Sequence, residues 1–287
     1  MRGPGRLSEP GLCLLETIPT INSWTTINEP VTVPWGDGEL ELPIPGDWPI
    51  YRAEPESLPP PADTLEQMLD AALAEPLDAP PLARIAKRLS EQVGARIAII
   101  VDDNARHTPV ADVLPVVLGA IKAGQLFDDS QIEIHFALGM HTPMTREQMI
   151  ERVGASIVER FACYNNPWQE PDGHTFLGRT RAGTPIHLAT RVAEADLRIL
   201  IGSVNAHMQA GFAGGMKLLF PGMASLATIR KLHLRGTQPF VQRIGTGAEV
   251  NPMRQEINRI HEFLPNETFS IQLMLDGRHK PLAVSAG

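Results

Sequence analysis

Cysteine is scarce in this chain, which has only Cys13 and Cys163 among its 287 residues. Two cysteines so far apart, without CxxC spacing, argue against a disulfide framework and against a cysteine zinc site. Long apolar runs are also lacking: none approaches the ~18 residues that span a bilayer. The apolar run at 12–15 is too short for the core of a signal peptide. We therefore expect a cytoplasmic protein with no membrane partner.

An excess of positive charge is lacking as well. The chain has 25 Lys and Arg against 33 Asp and Glu, a formal net charge of −8. Nonspecific nucleic-acid binding needs a cationic surface that displaces phosphate counterions, so we expect no nucleic-acid partner. A hydrophobic content of 43% is that of an ordinary globular protein. No internal repeat is visible, and the length suits one large domain or two modest ones.

The first part of the chain divides into a segment without pattern and a hairpin. Residues 1–30 show no periodicity and are predicted to be a leader, either disordered or contributing little to the fold. Two short alternating runs, 31–35 and 39–44, flank an Asp-Gly turn and predict a small β-hairpin. The domain is accordingly assigned to residues 31–287.

Strands and helices alternate in the rest of the chain. Apolar runs at 96–101, 131–138 and 195–201 are typical of strands buried on both faces. Helices are predicted near 111–123 and 146–153, the second one capped by the pair Thr145 and Gln148. This order predicts an α/β fold with a Rossmann-like, mostly parallel sheet flanked by helices.

The loops with unusual chemistry all follow the carboxyl ends of predicted strands. In open α/β sheets ligands bind at that edge. We therefore expect residues from three loops to converge there: Asp103, Arg106, His141, His207 and Lys217.

The segment 207–217 is rich in glycine and ends in a lysine. Its glycines Gly211, Gly214 and Gly215 permit positive φ and a close approach of the backbone to a ligand. Exposed N–H groups beside a helix start suit a phosphate, and Lys217 adds a point charge or a nucleophilic amine. A flexible glycine loop with an exposed lysine is the alternative. The segment is not a P-loop, because Met216 stands where that motif has Gly.

Histidines and a short charged cluster complete the candidates. His141 and His207 lie in loops after strands, where a histidine either transfers protons, binds a metal or is simply exposed. Asp103 either belongs to the site or caps the next helix. Arg106 either clamps a carboxylate in bidentate geometry or is a surface residue. Considered by itself, His233 would be interpreted as an ordinary residue on the face of a helix.

Together these loops resemble the lactate racemase family, whose members use a nickel-pincer nucleotide. The resemblance runs from about Val31 to the C-terminus. It rests on Asp-Asp-Asn-Ala-Arg-His-Thr-Pro at 102–109, Ala-Leu-Gly-Met-His-Thr-Pro-Met-Thr at 137–145, and the glycine-rich segment 202–222. His233 then falls where the family has a further histidine.

The resemblance implies roles at the cofactor. Lys217 matches the lysine that joins the nickel-pincer nucleotide covalently through a thioamide, and His233 matches the histidine that ligates nickel. Asp103 matches an acidic neighbour in the cofactor region. The three glycines of the loop, Gly211, Gly214 and Gly215, are then cofactor-binding. Cofactor-maturation enzymes become expected partners, and a homo-oligomer is compatible with the family.

The resemblance also implies a reaction. His141 and His207 match the general acid/base pair, and Arg106 matches an arginine that contacts the substrate. The family racemises or epimerises small 2-hydroxy acids by moving a hydride to the cofactor's ring and back. One histidine takes the hydroxyl proton and the other returns a proton on the opposite face, since one base cannot reach both hydroxyl positions.

Two substitutions and the length depart from the family. Met216 replaces an arginine, which implies one cation fewer near the cofactor, and Asn166 stands where many members have histidine. Relatives continue into a second α/β domain that closes the site, so we expect weak or absent activity from this chain alone. A non-catalytic cofactor-binding domain is one alternative. A hydrolase with histidine-bound zinc is another, although the HExxH spacing is missing.

Overall fold

The computed structural model describes residues 25–26, 30–35, 38–52, 59–123, 126–237 and 244–287. The chain separates into two units, Met1–Ser57 and Leu58–Gly287. Most of the predicted leader lies outside the described residues, so that prediction stays untested. None of the helices in the described part of the chain is long and apolar enough to cross a membrane.

The first unit holds two short antiparallel pairs. Its strands are β1 (Thr25–Thr26), β2 (Thr32–Trp35), β3 (Gly38–Glu41) and β4 (Tyr51–Arg52). Strand β2 pairs with β3, as the hairpin prediction requires, and β1 pairs with β4. The Gly-Asp part of the predicted turn lies outside the described residues.

The second unit is an α/β domain. Its helices are α1 (Leu65–Ala74), α2 (Leu82–Ser90), α3 (Val110–Lys122), α4 (Arg146–Val153), α5 (Ala155–Arg160), α6 (Thr190–Ala193), α7 (Leu226–Gly236) and α8 (Pro252–Ile260). Its strands are β5 (Ile97–Asp102), β6 (Ile132–Ala137), β7 (Ala162–Asn165), β8 (His174–Arg179), β9 (Pro185–Ala189), β10 (Leu197–Val204), β11 (Ala206–His207), β12 (Gly211–Phe212), β13 (Glu267–Leu275) and β14 (Pro281–Ala286).

Six strands form the central sheet in the order β14-β13-β10-β5-β6-β7. All pairs are parallel except β13 with the edge strand β14. The predicted mostly parallel sheet flanked by helices is confirmed. Two antiparallel pairs, β8 with β9 and β11 with β12, stand outside this sheet.

Side chains from opposite faces of the sheet enter two separate cores, as the alternation of a strand dictates. In β5, Ile99 and Val101 enter the core formed with α1 to α5, whereas Ile100 enters the core formed with α6 to α8 and β9. Every residue of β5 is buried, which agrees with the continuous apolar run in its sequence. His135, in β6, is buried in the same way.

Helix ends follow local capping chemistry. Thr145 and Gln148 form the predicted reciprocal cap of α4. In α1, Thr64 and Gln67 make the same reciprocal arrangement. Asn251, followed by a proline at the first helical position, caps α8.

Candidate active site

Three adjacent parallel strands bring the candidate residues to one edge of the sheet. Strand β5 lies between β10 and β6, and all three run in the same direction. Their carboxyl ends therefore open side by side into the loops that the sequence singled out. The convergence expected from the strand exits is confirmed.

A cleft of about 210 Å³ lies at this edge. The residues that line it include nearly every candidate from the sequence: Asp103, Arg106, His141, His207, Gly214, Lys217 and His233. Pockets that enclose a drug-sized ligand measure roughly 300–1,000 Å³. The cleft accordingly has room for a small organic acid or for one ring of a larger group, but does not enclose a whole nucleotide.

The two neighbouring aspartates at the end of β5 have different tasks. Asp102 is buried and pairs with Arg152, and the Thr108 hydroxyl donates to its carboxylate at 2.5 Å. The same Thr108 hydroxyl lies 2.9 Å from the Ser203 Oγ of β10, so this network ties two strand exits together. Burial raises the pKa of Asp102, and the guanidinium of Arg152 opposes that rise. Asp102 is structural.

Asp103 instead faces His141. Its carboxylate accepts a hydrogen bond from the Nδ1 of His141, and its other oxygen accepts from the Ala105 N–H at 3.2 Å. Neither aspartate caps α3, whose first residue follows Pro109 without a side-chain cap. The Asp103 side chain is 3% exposed while that of His141 is 55% exposed. A buried carboxylate therefore orients an imidazole whose far edge is open to the cleft.

His207 is held by its own loop. Its Nδ1 accepts hydrogen bonds from the N–H groups of Gln209 and Ala210, both at 3.1 Å. Burial lowers the pKa of His207 to about 4, with the cations Lys217 and Arg106 as the next contributions. Because only an unprotonated Nδ1 accepts hydrogen bonds, the histidine is neutral and carries its proton on Nε2.

His233 extends from α7 into the cleft. Its Nδ1 donates to the carbonyl oxygen of Ile229 at 2.8 Å, one helical turn earlier. This bond leaves Nε2 with an open lone pair, as in histidines that ligate metals and donate their other N–H to a carbonyl. Among the residues that the structure describes, no group of three or more His, Cys, Asp or Glu side chains is arranged to hold a metal.

The conformational and steric constraints differ among the three glycines of the loop. Gly214 lines the cleft with φ +76°, and a Cβ there would lie 2.4 Å from the Oε1 of Gln272. Gly211 also has positive φ, and a Cβ would meet the Thr246 carbonyl at 1.9 Å, so close packing excludes a side chain. The Gly215 N–H already donates to Gln272 at 2.7 Å. Of the N–H groups that the loop was expected to offer to a phosphate, that of Gly215 is therefore already engaged within the protein.

Lys217 lies in a short 3-10 turn, Gly215–Leu218, at the C-terminal end of the glycine-rich loop. Its pKa is lowered from 10.5 to about 7, chiefly by burial and then by the guanidinium groups of Arg106 and Arg254. A lysine amine that is substantially deprotonated at neutral pH is a competent nucleophile. Arg106 itself is exposed at the cleft and makes no side-chain hydrogen bond or ion pair with the described residues.

Arg254 is the residue that the sequence did not suggest. From the first turn of α8, its guanidinium donates to the carbonyls of Phe212 and of Ala210, the latter at 3.4 Å. Asn251 of the same turn donates to the Gln209 carbonyl at 3.1 Å. The start of α8 thus clamps the glycine loop. The Asn-Pro pair that opens the helix was the one signal that could have located it.

The two departures from the family pattern have different surroundings. Met216 packs against the core of α6 to α8 and does not line the cleft, and Arg254 places a cation near Lys217. Asn166 is buried and donates to the Ala224 carbonyl at 3.0 Å. Its Oδ1 lies 3.2 Å from the Nε2 of His174. Asn166 joins segments behind the cleft rather than lining it.

Comparison with known families identifies the family to which this chain belongs. The family model described as "Lactate racemase N-terminal domain" matches residues 35–242, which is most of the chain. This chain belongs to the lactate racemase family. The match also contains every candidate residue from Asp103 to His233, so the motifs in the loops and the family model agree.

Individual relatives support the same relationship over different lengths. A lactate racemase of Lactiplantibacillus plantarum is 31% identical over 137 residues, 48% of this chain and 32% of that protein. A lactate racemase of Thermoanaerobacterium thermosaccharolyticum is 25% identical over 264 residues, 90% of this chain and 59% of that protein. The chain thus spans less than two thirds of the curated relatives it matches.

Solved structures show the same fold. The lactate racemase apoprotein from Thermoanaerobacterium thermosaccharolyticum superposes with a TM-score of 0.73 at 24% identity, over 90% of this chain and 59% of that one. A protein from Thermotoga maritima superposes with a TM-score of 0.57 at 22% identity, over 72% of this chain and 53% of that one. At these identities the likeness concerns the architecture alone.

Proposed function

We propose that this chain is the cofactor-binding part of a racemase or epimerase of small 2-hydroxy acids that works with a nickel-pincer nucleotide. One observation carries the proposal: Arg106, His141, His207, Lys217 and His233, each matching a family motif, line a single cleft. The chain spans 59% of a full-length relative, so the activity is proposed for the complete site rather than for this part.

The residues fit the proposed cofactor. His233 offers one open ring nitrogen, and the described residues supply no set of three protein ligands for a metal. A single protein ligand suits a nickel ion whose remaining ligands come from an organic pincer. Lys217, whose amine is about half neutral at pH 7, suits covalent attachment. When bound, the cofactor would accept and return a hydride, with nickel tuning its ring.

The protein side chains would bind and orient the substrate. Arg106 presents a guanidinium that no described side chain engages, and a planar fork of N–H groups matches a carboxylate. His141, oriented by Asp103, has its Nε2 available to take the hydroxyl proton. His207 presents an N–H from the glycine loop. Together they would anchor the acid group and handle the proton of the 2-hydroxyl.

A histidine-zinc hydrolase finds less support. It would need the three histidines of the cleft to share one metal, and the described residues contain no such cluster. It would also leave Lys217 without a role. The non-catalytic alternative is a domain that binds the cofactor without turning over substrate, and the experiment below separates the two.

The test is label transfer by the cofactor-loaded protein. Co-expression with the maturation enzymes would supply the cofactor, and a panel of C2-deuterated 2-hydroxy acids would then be followed by chiral chromatography and mass spectrometry. Hydride transfer predicts enantiomers that interconvert with the deuterium retained at C2. Interconversion with wash-out into solvent would contradict hydride transfer, whereas loading without any interconversion would establish the non-catalytic alternative.

A further inference from the structure

A second cavity lies between the turn of the β8–β9 hairpin and the end of α8. Its volume is about 710 Å³, against about 210 Å³ for the active-site cleft. Among the described residues the two cavities share no lining side chain. One wall of the second cavity holds Arg179, Thr180 and Arg181, and the other holds Arg259, Glu262 and Phe263. We call it the arginine cavity, and no step of the proposed racemisation uses it.

The hairpin wall is fixed by buried polar bonds. Glu256 of α8 is buried, and its carboxylate accepts hydrogen bonds from the hydroxyls of Thr180 and Thr184 in the turn. From α7, Arg235 donates to a carbonyl of the same turn at 3.0 Å. A turn tied to two helices in this way presents its two arginines from a defined backbone, as a binding site requires.

The arginines keep most of their hydrogen-bonding capacity. Arg181 makes no hydrogen bond or ion pair with the described residues. Arg179 donates one N–H to a carbonyl of its own turn at 3.3 Å. Arg259 is 57% exposed and lies 3.6 Å from Glu256. With Glu262 as the one acid that lines the cavity among the described residues, two positive charges are in excess there, although the whole chain has a net charge of −8.

We propose that the arginine cavity binds an organic polyphosphate of the size of a nucleoside di- or triphosphate. Guanidinium groups present planar forks of N–H donors that match phosphate oxygens in pairs. The hairpin wall carries arginines and no acid, so it suits the phosphates. On the opposite wall Phe263 offers apolar surface and Glu262 a hydrogen-bond acceptor for the organic part. The volume falls within the roughly 300–1,000 Å³ of pockets for drug-sized ligands.

Helix α8 separates this cavity from the cleft. Arg254, in its first turn, donates to carbonyls of the glycine loop, whereas Arg259, near its end, lines the arginine cavity. Five residues along a helix correspond to a rise of about 7.5 Å and a rotation of about 140°. The two arginines therefore leave the helix in different directions and serve different sites. The proposal goes beyond the proposed function and does not depend on it.

Calorimetric titration of the 287-residue chain with magnesium-free ATP, at about 0.15 M salt, tests the proposal. We expect saturable binding at one site. Arg179→Gln combined with Arg181→Gln should weaken it about tenfold or more, because two charge-assisted donors are lost. Both arginines are exposed, and thermal unfolding checks that the fold is kept. The matched control, Arg84→Gln with Lys87→Gln, removes two positive charges from exposed positions of α2 and should bind as the wild type does.

Amide spectra of the nitrogen-15-labelled chain locate the ligand without any variant. ATP should shift the amide of Gly183, in the hairpin turn, and leave that of Gly214, in the cleft, in place. Arg106→Gln should retain binding. No saturation with ATP, an equal loss in the two double variants, or a loss in R106Q would overturn the proposal, since the last would place the anion in the cleft.

The parts of ATP test the ligand class. Tripolyphosphate should bind more weakly than ATP, and adenosine should not saturate the chain. Tripolyphosphate that binds as tightly as ATP would refute the role of the organic part, and adenosine that binds as tightly would refute the role of the phosphates. Because neither the nickel-containing cofactor nor a hydroxy acid is needed, these results stand or fall separately from the proposed function.

Discussion

The reactivity of Lys217 offers a sharp quantitative test of the site's electrostatics. Its pKa is lowered from 10.5 to about 7 by burial, with Arg106 and Arg254 as the next contributions. At pH 7 about half of the Lys217 amines are therefore neutral, whereas an ordinary lysine is neutral in only about one molecule in 3,000. Only the neutral amine attacks an acylating reagent. Lys217 should thus react with a pH midpoint near 7.

Competitive acetylation with isotope-labelled reagent measures this residue by residue. The exposed lysines Lys87 and Lys280 provide internal references in the same experiment. Arg254→Gln should move the Lys217 midpoint upward, because one of the two cations is lost. The midpoint should nevertheless stay well below 10.5, since burial is the largest cause.

The matched control is Arg259→Gln, which removes a cation from the same helix. Arg259 is 57% exposed and lies 3.6 Å from Glu256 rather than at the cleft. It should leave the Lys217 midpoint unchanged. A midpoint for Lys217 in the range of the reference lysines, or an equal response to both arginine substitutions, would refute the electrostatic reasoning.

Two further predictions concern stability. Because the folded pKa of Lys217, about 7, lies below its unfolded value of 10.5, the unfolded chain binds more protons between these values, and stability should rise with pH across that window. Lys217→Met should remove this cost and stabilise the chain at pH 6 by up to about 5 kcal/mol, with the gain shrinking towards pH 10 in urea titrations. Gly214→Ala should destabilise by more than the roughly 1–3 kcal/mol that its sparsely populated backbone conformation would cost alone, because its Cβ would meet Gln272 at 2.4 Å and Ser203 at 2.9 Å. Gly183→Ala, at φ +78° with no atom within 4 Å, isolates the backbone cost, and equal losses in the two variants would contradict the steric argument.

The sequence was most informative where a strand ends. Continuous apolar runs identified β5, β6 and β10, and the parallel order then placed their exits together without any knowledge of distances. Asp103, Arg106, His141 and Lys217 could be placed on one edge in this way. What the pattern could not resolve was which neighbouring aspartate served the site. That choice depends on Arg152, which approaches Asp102 from a helix about 50 residues later.

Long-range packing also explains what sequence reasoning missed. Arg254 is separated from the glycine loop by some 40 residues, and its role comes from the way α8 packs against that loop. Met216 seemed to imply one cation fewer, but Met216 packs against the core and Arg254 places a cation near Lys217. For Arg254, the Asn-Pro pair that begins α8 is the one local signal in the sequence.

The protonation pattern of the histidines was equally hidden. Spacing marked His141 and His207 as similar loop residues, and the family resemblance gave them a common role. Their difference lies in the partner at Nδ1, a carboxylate in one case and backbone N–H groups in the other. Such partners are set by how each loop folds back on itself, which composition and periodicity do not encode.

The proposed attachment of a nickel-containing nucleotide to Lys217 can be tested directly. The most direct measurement is the intact mass and the metal content of the chain after co-expression with the maturation enzymes, compared with Lys217→Ala. We predict a mass increase with nickel bound in the wild type and no increase in the variant. An unmodified wild-type chain from a strain whose enzymes load a full-length relative, or an equal increase in Lys217→Ala, would contradict the claim.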